Sequence, residues 1–151
     1  MALWYRIVQE RWAATAMDGE GARLHGGRWN PPGIAAVYLA ESRALAALEI
    51  LVHAPREALR LEWRVIGVEV PDDAIRVMAA KHLPAGWRDQ PSSTGARRLG
   101  AEWLAKKGDV AMALPGVIVP QERTLLLNPR HPAAARLKGS KAERCVFDPR
   151  L

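Results

Sequence analysis

Nine consecutive residues, Ala44–Val52, are apolar except for one glutamate, Glu49. A helix that is apolar on every side is typical of a buried position, so this window predicts a buried helix that carries Glu49 into the interior. Ser42 is suited to cap the start of the helix and Pro55 to stop it. Because desolvating an unpaired charge costs several kcal/mol, a lone carboxylate there must find a partner, change its pKa or take part in chemistry.

Two interpretations of Glu49 stay open when it is considered alone. The first is a structural ion pair with Arg28 or Arg43, and the second is a catalytic carboxylate. His53, one turn later, is suited to contact Glu49, although a histidine at a helix end is also a common structural feature. The residues that precede the helix favour the catalytic interpretation.

Those preceding residues provide an arginine and a tyrosine. The apolar run 34–40 predicts a strand in which Tyr38 shares its face with two alanines, which leaves room beside the ring unless a helix packs closely there. Upstream, a Gly-Gly pair ending at Gly27 allows a ligand to approach closely, and the guanidinium of Arg28 suits a phosphate or carboxylate. Arg28, Tyr38 and Glu49 are therefore expected to meet at one cleft.

These segments resemble those of a known family. GGRWN at 26–30, VYLA at 37–40 and ALE at 47–49 are similar to segments of the RES-domain proteins, the toxins of RES–Xre type II toxin–antitoxin systems. The similarity continues through Tyr5-Arg6 and through the segments 115–120, 127–132 and 147–150. It therefore extends over nearly the whole chain.

The resemblance implies an ADP-ribosyltransferase-like fold and a toxin that degrades NAD by cleaving its nicotinamide–ribose bond. Glu49, Arg28 and Tyr38 match the family's glutamate, arginine and tyrosine and are the expected catalytic residues. NAD is expected as the substrate and not as a redox cofactor, and no metal is required. The residues expected to contact NAD are Arg6, Gly27, Arg28, Trp29, Tyr38 and Gly116.

Two positions depart from the family pattern. Gly116 follows Pro115 where the family usually has serine, and Thr124 stands where it usually has asparagine. These departures favour an alternative, in which the chain is a catalytically weak module that binds an antitoxin or nucleic acid.

The resemblance only partly identifies the protein's partners and the acceptor, which is the molecule that receives the ADP-ribosyl group after nicotinamide leaves. Water would make the protein an NAD glycohydrolase, inorganic phosphate an NAD phosphorylase, and a protein side chain an ADP-ribosyltransferase. An Xre-type antitoxin is the expected protein partner, so that DNA is contacted only indirectly through it. Whether the chain forms a homodimer stays open.

Length and charge are consistent with one domain over residues 1–151. Residues 1–75 contain 8 basic and 10 acidic side chains, whereas residues 76–151 contain 14 and 6, so the net charge of +6 comes from the second half. That half would attract an acidic partner, although its cations are dispersed with few aromatics between them, as on a solvated surface. With a single cysteine, Cys145, and no apolar run long enough to span a bilayer, we expect a cytoplasmic protein without membrane contact.

The remaining pattern predicts short strands and few helices. Alternating or apolar residues favour strands at Leu3–Val8, Leu61–Val70, Val110–Leu114, Val117–Val119, Leu125–Leu127 and Cys145–Phe147. A helix is expected from Gly95 to Lys107, after a cap at Ser92, Ser93 or Thr94, with Gly108 ending it. The predicted fold class is α+β, with curved or split β-sheets and flanking helices.

Overall fold

The computed structural model describes residues 2–151. Its centre is one sheet of seven strands, and the α+β prediction is confirmed. The strands are β1 (Ala2–Gln9), β2 (Val37–Ala40), β3 (Trp63–Val70), β4 (Ile75–Val77), β5 (Ala111–Pro115), β6 (Arg123–Leu127) and β7 (Glu143–Cys145). The α-helices in the described residues are α1 (Glu20–His25), α2 (Arg43–His53) and α3 (Thr94–Lys106).

The strand order in the sheet is β4-β5-β6-β2-β1-β3-β7. Only β4 and β5 are parallel, and every other neighbouring pair is antiparallel. Strand β1 pairs with β3 over eight residue pairs but with β2 at one pair, Tyr5 with Ala40. The sheet is thus loosely joined between β1 and β2.

The alternating residues of β1 and β3 divide the core into two sides. Trp4 and Val8 of β1 pack with Val68 and Val70 of β3 on one side, as the period of two predicts. Ile7 lies on the opposite side, where the buried residues of α2 pack. Both strands are therefore inner strands with apolar residues on two faces.

Helix α2 is capped as predicted, because the Ser42 hydroxyl accepts a hydrogen bond of 3.0 Å from the Leu45 N–H. The prediction that this helix is buried on all sides is wrong. Leu45 and Ala46 are buried, but Val52 is 58% exposed, because the sheet covers only one side of the helix. Glu49 is consequently half-buried, with 35% of its side chain exposed.

Other segments differ from expectation in local ways. The strand predicted over 34–40 begins only at Val37, and the strand predicted at Val117–Val119 is a turn, in which the Gly116 and Glu122 N–H groups donate to Glu122 and Val119 carbonyls. β4 was not predicted. Helix α3 starts after a Ser93 cap and ends at Lys106, and the left-handed backbone of Lys107 ends it one residue before the expected Gly108.

Candidate functional site

A cleft of about 1030 Å³ lies where β1 and β2 meet. It is bordered by both strands, by α2, by the end of α1 with the Gly26–Trp29 segment, and by the turn between β5 and β6. The predicted site residues that line it are Arg6, Gly27, Arg28, Trp29, Tyr38 and Glu49. The topology thus brings these positions, far apart in sequence, to one cavity.

Arg28 anchors a distant loop to this cleft. Its Nη1 donates hydrogen bonds to the Trp87 carbonyl at 3.0 Å and to the Asp89 carbonyl at 2.8 Å. Burial lowers the pKa of Arg28, while the nearby Glu49 acts in the opposite direction. With Nη1 committed to two carbonyls, Nε and Nη2 remain for a ligand.

Tyr38 takes part in a small polar network beneath the cleft. Its hydroxyl donates to Asn30 Oδ1 at 2.6 Å and accepts from the Trp29 N–H at 3.0 Å. Asn30 is fully buried, and its amide nitrogen donates to the carbonyls of Ala22, Pro31 and Ile34. Burial raises the pKa of the Tyr38 hydroxyl above its ordinary value, so the group stays protonated and holds the Trp29 segment in place.

Gly27 is required by this network. A Cβ at this position would lie 2.7 Å from the Tyr38 hydroxyl oxygen and 2.8 Å from Asn30 Oδ1. Only a glycine therefore lets the backbone pass directly over the Tyr38–Asn30 hydrogen bond.

Arg6 occupies the loose joint between β1 and β2. Its Nη1 donates to the Tyr38 carbonyl at 3.1 Å, and its buried Nε has no hydrogen-bond partner among residues 2–151. Burial lowers the pKa of Arg6, and Asp18 acts in the opposite direction. Arg6 lines the cleft, where a guanidinium is suited to an anion.

Glu49 faces the cleft and contacts His53. The Glu49 Oε2 lies 3.7 Å from His53 Nε2, and this carboxylate raises the pKa of the imidazole. Arg43 pairs instead with Glu143, and the predicted ion pair of Glu49 with Arg28 or Arg43 is not formed among the described residues. The contact of Glu49 with His53 is an ion pair only when the imidazole is protonated. Because 35% of its own side chain is exposed and it lines the cleft, Glu49 keeps access to a ligand.

Two of the predicted contact residues are placed differently. Trp29 lines the cleft but is only 1% exposed, because it lies in a core cluster with Met112 and Leu126. Gly116 is buried outside the lining residues, and a Cβ there would approach the Val119 and Glu122 carbonyl oxygens to 2.8 and 3.0 Å. Thr124 does line the cleft.

Sequence reasoning missed several residues of the cleft. Arg97 of α3 and the polar Gln90 and Ser92 border it, and Asn30 supports it from below. Asn30 could have been found, because it belongs to the segment GGRWN that carries the family resemblance. Residues 90–97 could not, because no sequence periodicity predicts that they lie across the cleft from α2.

Among residues 2–151, no three metal-binding side chains form a cluster, and no helix is long and apolar enough to cross a membrane.

Comparisons with known proteins identify the family of this chain. The family described as the RES domain matches residues 3–148. The Prs ADP-ribosylating toxin of Sphingobium sp. (strain YBL2) is 38% identical over 153 residues, 98% of this chain and 95% of that protein. Toxin Res of Yersinia enterocolitica is 38% identical over 148 residues, 97% of each chain.

A solved structure shares the fold. The M. tuberculosis MbcT–MbcA toxin–antitoxin complex contains a chain that matches with a TM-score of 0.79 at 20% identity, over 96% of this chain and 84% of that chain. At this identity the match supports the architecture alone. The family match and the relatives above show that this chain belongs to the RES-domain family of toxins.

Proposed function

We propose that this protein is a toxin that consumes NAD by cleaving the bond between nicotinamide and ribose. The observation that carries the proposal is the meeting of Glu49, Tyr38, Arg28 and Arg6 around one cleft. A volume of about 1030 Å³ is at the upper end of the range for small-molecule sites and suits a dinucleotide.

The chemistry follows from the charges that develop when this bond breaks. The departing nicotinamide becomes neutral, while the ribose takes on oxocarbenium character at its C1 carbon. A carboxylate already aimed at the cleft opposes that positive charge and holds a ribose hydroxyl, so Glu49 lowers the barrier. No proton has to be delivered to the leaving group, because nicotinamide leaves as a neutral base.

The other residues bind and orient the substrate. Arg6 and Arg28 line the cleft and bind the diphosphate, Arg28 with the part of its guanidinium that the loop carbonyls leave free. The Tyr38 ring is fixed by its hydroxyl and borders the cleft, where it supplies a flat surface for the nicotinamide. Fixed groups of this kind reduce the entropy lost on reaching the transition state.

The candidate activities differ in the molecule that accepts the ADP-ribosyl group. With water or inorganic phosphate as acceptor, the protein is an NAD glycohydrolase or phosphorylase. The name of the Sphingobium relative, an ADP-ribosylating toxin, favours a second candidate, transfer of ADP-ribose to a protein. Glu49 would have the same role in either reaction, since both begin with the same bond cleavage.

An antitoxin is the protein partner in this proposal. The structural neighbour was solved in complex with its antitoxin, and an open, half-exposed cleft is a surface that a partner can cover. We propose an Xre-type antitoxin as that partner, with DNA contacted only through it. The site of action in this proposal is the cytoplasm, which holds the NAD.

The deciding experiment measures nicotinamide release from NAD by the purified chain, with and without inorganic phosphate. It is run beside Glu49→Gln, which removes the charge at nearly constant volume, and beside Glu57→Gln, an exposed acid outside the cleft. We expect Glu49→Gln to lower the rate by at least about 100-fold, because an electrostatic contact to the transition state is lost. Glu57→Gln should match the parent chain.

The outcomes separate the candidates. Release that requires phosphate identifies a phosphorylase, and release without it a glycohydrolase. Release that appears only with a cell extract, together with labelled protein from labelled NAD, identifies a transferase. A folded chain that binds NAD without releasing nicotinamide under any of these conditions would overturn the enzyme and favour the binding module.

A further inference from the structure

We propose that Arg97, together with Ser92 and Gln90, forms a phosphate-binding subsite at the α3 side of the cleft. The inference rests on the proposed function for the origin of the phosphate, which is either the diphosphate of NAD or inorganic phosphate as acceptor. All three residues line the same cavity as Glu49 and Tyr38. None of them belongs to the segments that carry the family resemblance.

The Arg97 side chain makes no polar contact with the rest of the described chain. Within residues 2–151 its side chain makes no hydrogen bond and no ion pair, and it is exposed. Arg28, by contrast, holds two carbonyls, and Arg123 is paired with Glu41 at 2.7 Å. An arginine that borders a deep cleft without a partner there is available to a ligand.

The position of Arg97 is electrostatically unfavourable unless an anion binds. It lies at the start of α3, one turn after the Ser93 cap, and Arg98 follows it, while the first turn contains no acid. Cations near a helix N-terminus oppose the helix dipole. A bound anion would offset this, and Arg97 adds its positive charge to this wall of the cleft.

Two contacts hold α3 and its loop in place. A Cβ at Gly100 would overlap the Trp29 carbonyl oxygen, so α3 lies directly against the GGRWN segment, and Gly100 is one turn after Arg97. The loop before α3 is held by Arg28, which binds the Trp87 and Asp89 carbonyls, and by Arg88, whose Nη2 donates to the Val117 carbonyl at 2.8 Å. Gln90 and Ser92 therefore border the cleft on an anchored segment.

The arginines and the carboxylate that line the cavity have an excess of positive charge. Arg6, Arg28 and Arg97 contribute three guanidinium groups, whereas Glu49 is the one carboxylate among the lining residues. Arg97 and Tyr38 line the same cavity. A ligand with two or more negative charges balances this set, and a phosphate group suits the fork of donors that arginine presents.

The test compares Arg97→Gln with Arg98→Gln, the adjacent arginine, which does not line the cleft. Both changes remove one charge from the same helix turn, and neither removes a hydrogen bond or ion pair of the described structure. Binding of NAD is measured by calorimetry in the Glu49→Gln background, where NAD is not consumed. Binding of inorganic phosphate and of pyrophosphate is measured separately on the otherwise unchanged chain.

Each result has a definite meaning. If Arg97→Gln weakens NAD binding by roughly 10- to 100-fold and Arg98→Gln does not, the subsite holds the diphosphate. If Arg97→Gln loses binding of inorganic phosphate but keeps its affinity for NAD, the subsite holds inorganic phosphate as the acceptor. Equal effects of the two variants, or no effect, would overturn the proposal. If the protein proves not to bind NAD at all, the proposed function fails, while the pyrophosphate and phosphate titrations still decide the subsite.

Discussion

The two neighbours of β1 differ sharply in how they are joined to it. On one side β3 pairs with β1 over eight residue pairs. On the other side β2 pairs with it at Tyr5 and Ala40 alone, and the polar contact of Arg6 with the Tyr38 carbonyl replaces part of a regular ladder. The edge of β1 that pairs with β3 holds the strand firmly in the sheet, and this β1–β3 side is the scaffold. The edge that faces β2 borders the cleft.

The two sides also differ in what stabilises them. Trp4, Val68 and Val70, between β1 and β3, are almost completely buried, so that their stabilisation comes from removing apolar surface from water. At the β2 side the stabilising contacts are hydrogen bonds among Tyr38, Asn30 and the Trp29 backbone. Polar networks keep donors and acceptors in a defined geometry, which a ligand site requires.

The scaffold and the site can therefore be perturbed to different degrees. Changes at the β3 side should cause the larger loss in the free energy of unfolding, and changes at the β2 side should cause a smaller loss and alter ligand binding.

Truncating Trp4 should have the largest effect. Trp4 is 1% exposed, and Trp4→Ala removes a large buried side chain and leaves a cavity, so we expect a loss of about 3–5 kcal/mol in the free energy of unfolding. Leu3→Ala, at a position of the same strand that is 46% exposed, should cost under about 1 kcal/mol. Urea denaturation of both variants gives the comparison, and similar losses would show that the β1–β3 side is not the scaffold.

Removing the Tyr38 hydroxyl should have an intermediate effect. Tyr38→Phe leaves Asn30 Oδ1 and the Trp29 N–H without their shared partner, and we expect a loss of about 1–3 kcal/mol in the free energy of unfolding. The ring remains, so NAD affinity should fall less than after Tyr38→Ala. Tyr5→Phe is the control, because the Tyr5 ring lies against the exposed Arg43. Equal destabilisation by Tyr5→Phe and Tyr38→Phe would contradict the role given to the network.

The Glu49–His53 contact should have the smallest effect, which is a weak dependence of the free energy of unfolding on pH. Glu49 raises the folded-state pKa of His53 above 6.5, while burial and Arg28 act in the opposite direction. The protonated imidazole therefore stabilises the fold below about pH 6.5, and this contribution is lost as the pH rises through the folded-state pKa. Since His53 is 76% exposed, solvent screening keeps the effect small.

An NMR titration of the His53 ring checks this sign. In Glu49→Gln the His53 pKa should fall below its value in the parent chain. The difference in unfolding free energy between the parent and His53→Gln should shrink between pH 5.5 and pH 8. A His53 pKa that does not respond to Glu49→Gln would mean that the two side chains do not interact in solution.

Much of the fold was predictable because its cues are local. The alternation of Trp4 and Val8 predicted β1, the similar pattern predicted β3, and Ser42 predicted the start of α2. The turn at Val117–Val119 was predicted wrongly as a strand, since a short apolar run does not distinguish the two. The predicted burial of Glu49 failed because composition does not reveal how much of a helix the sheet covers.

The sequence by itself determined the alternation of the inner strands, the cap of α2 and the segments that mark the RES-domain family, because each depends on residues close together in the chain. The tertiary structure alone decided that Arg28 binds the carbonyls of Trp87 and Asp89, that Glu49 pairs with His53 and stays half-exposed, and that Arg97 borders the cleft. These contacts depend on strand order, on the path of the loops and on which side of each helix the sheet covers. Local periodicity contains no information about those long-range choices.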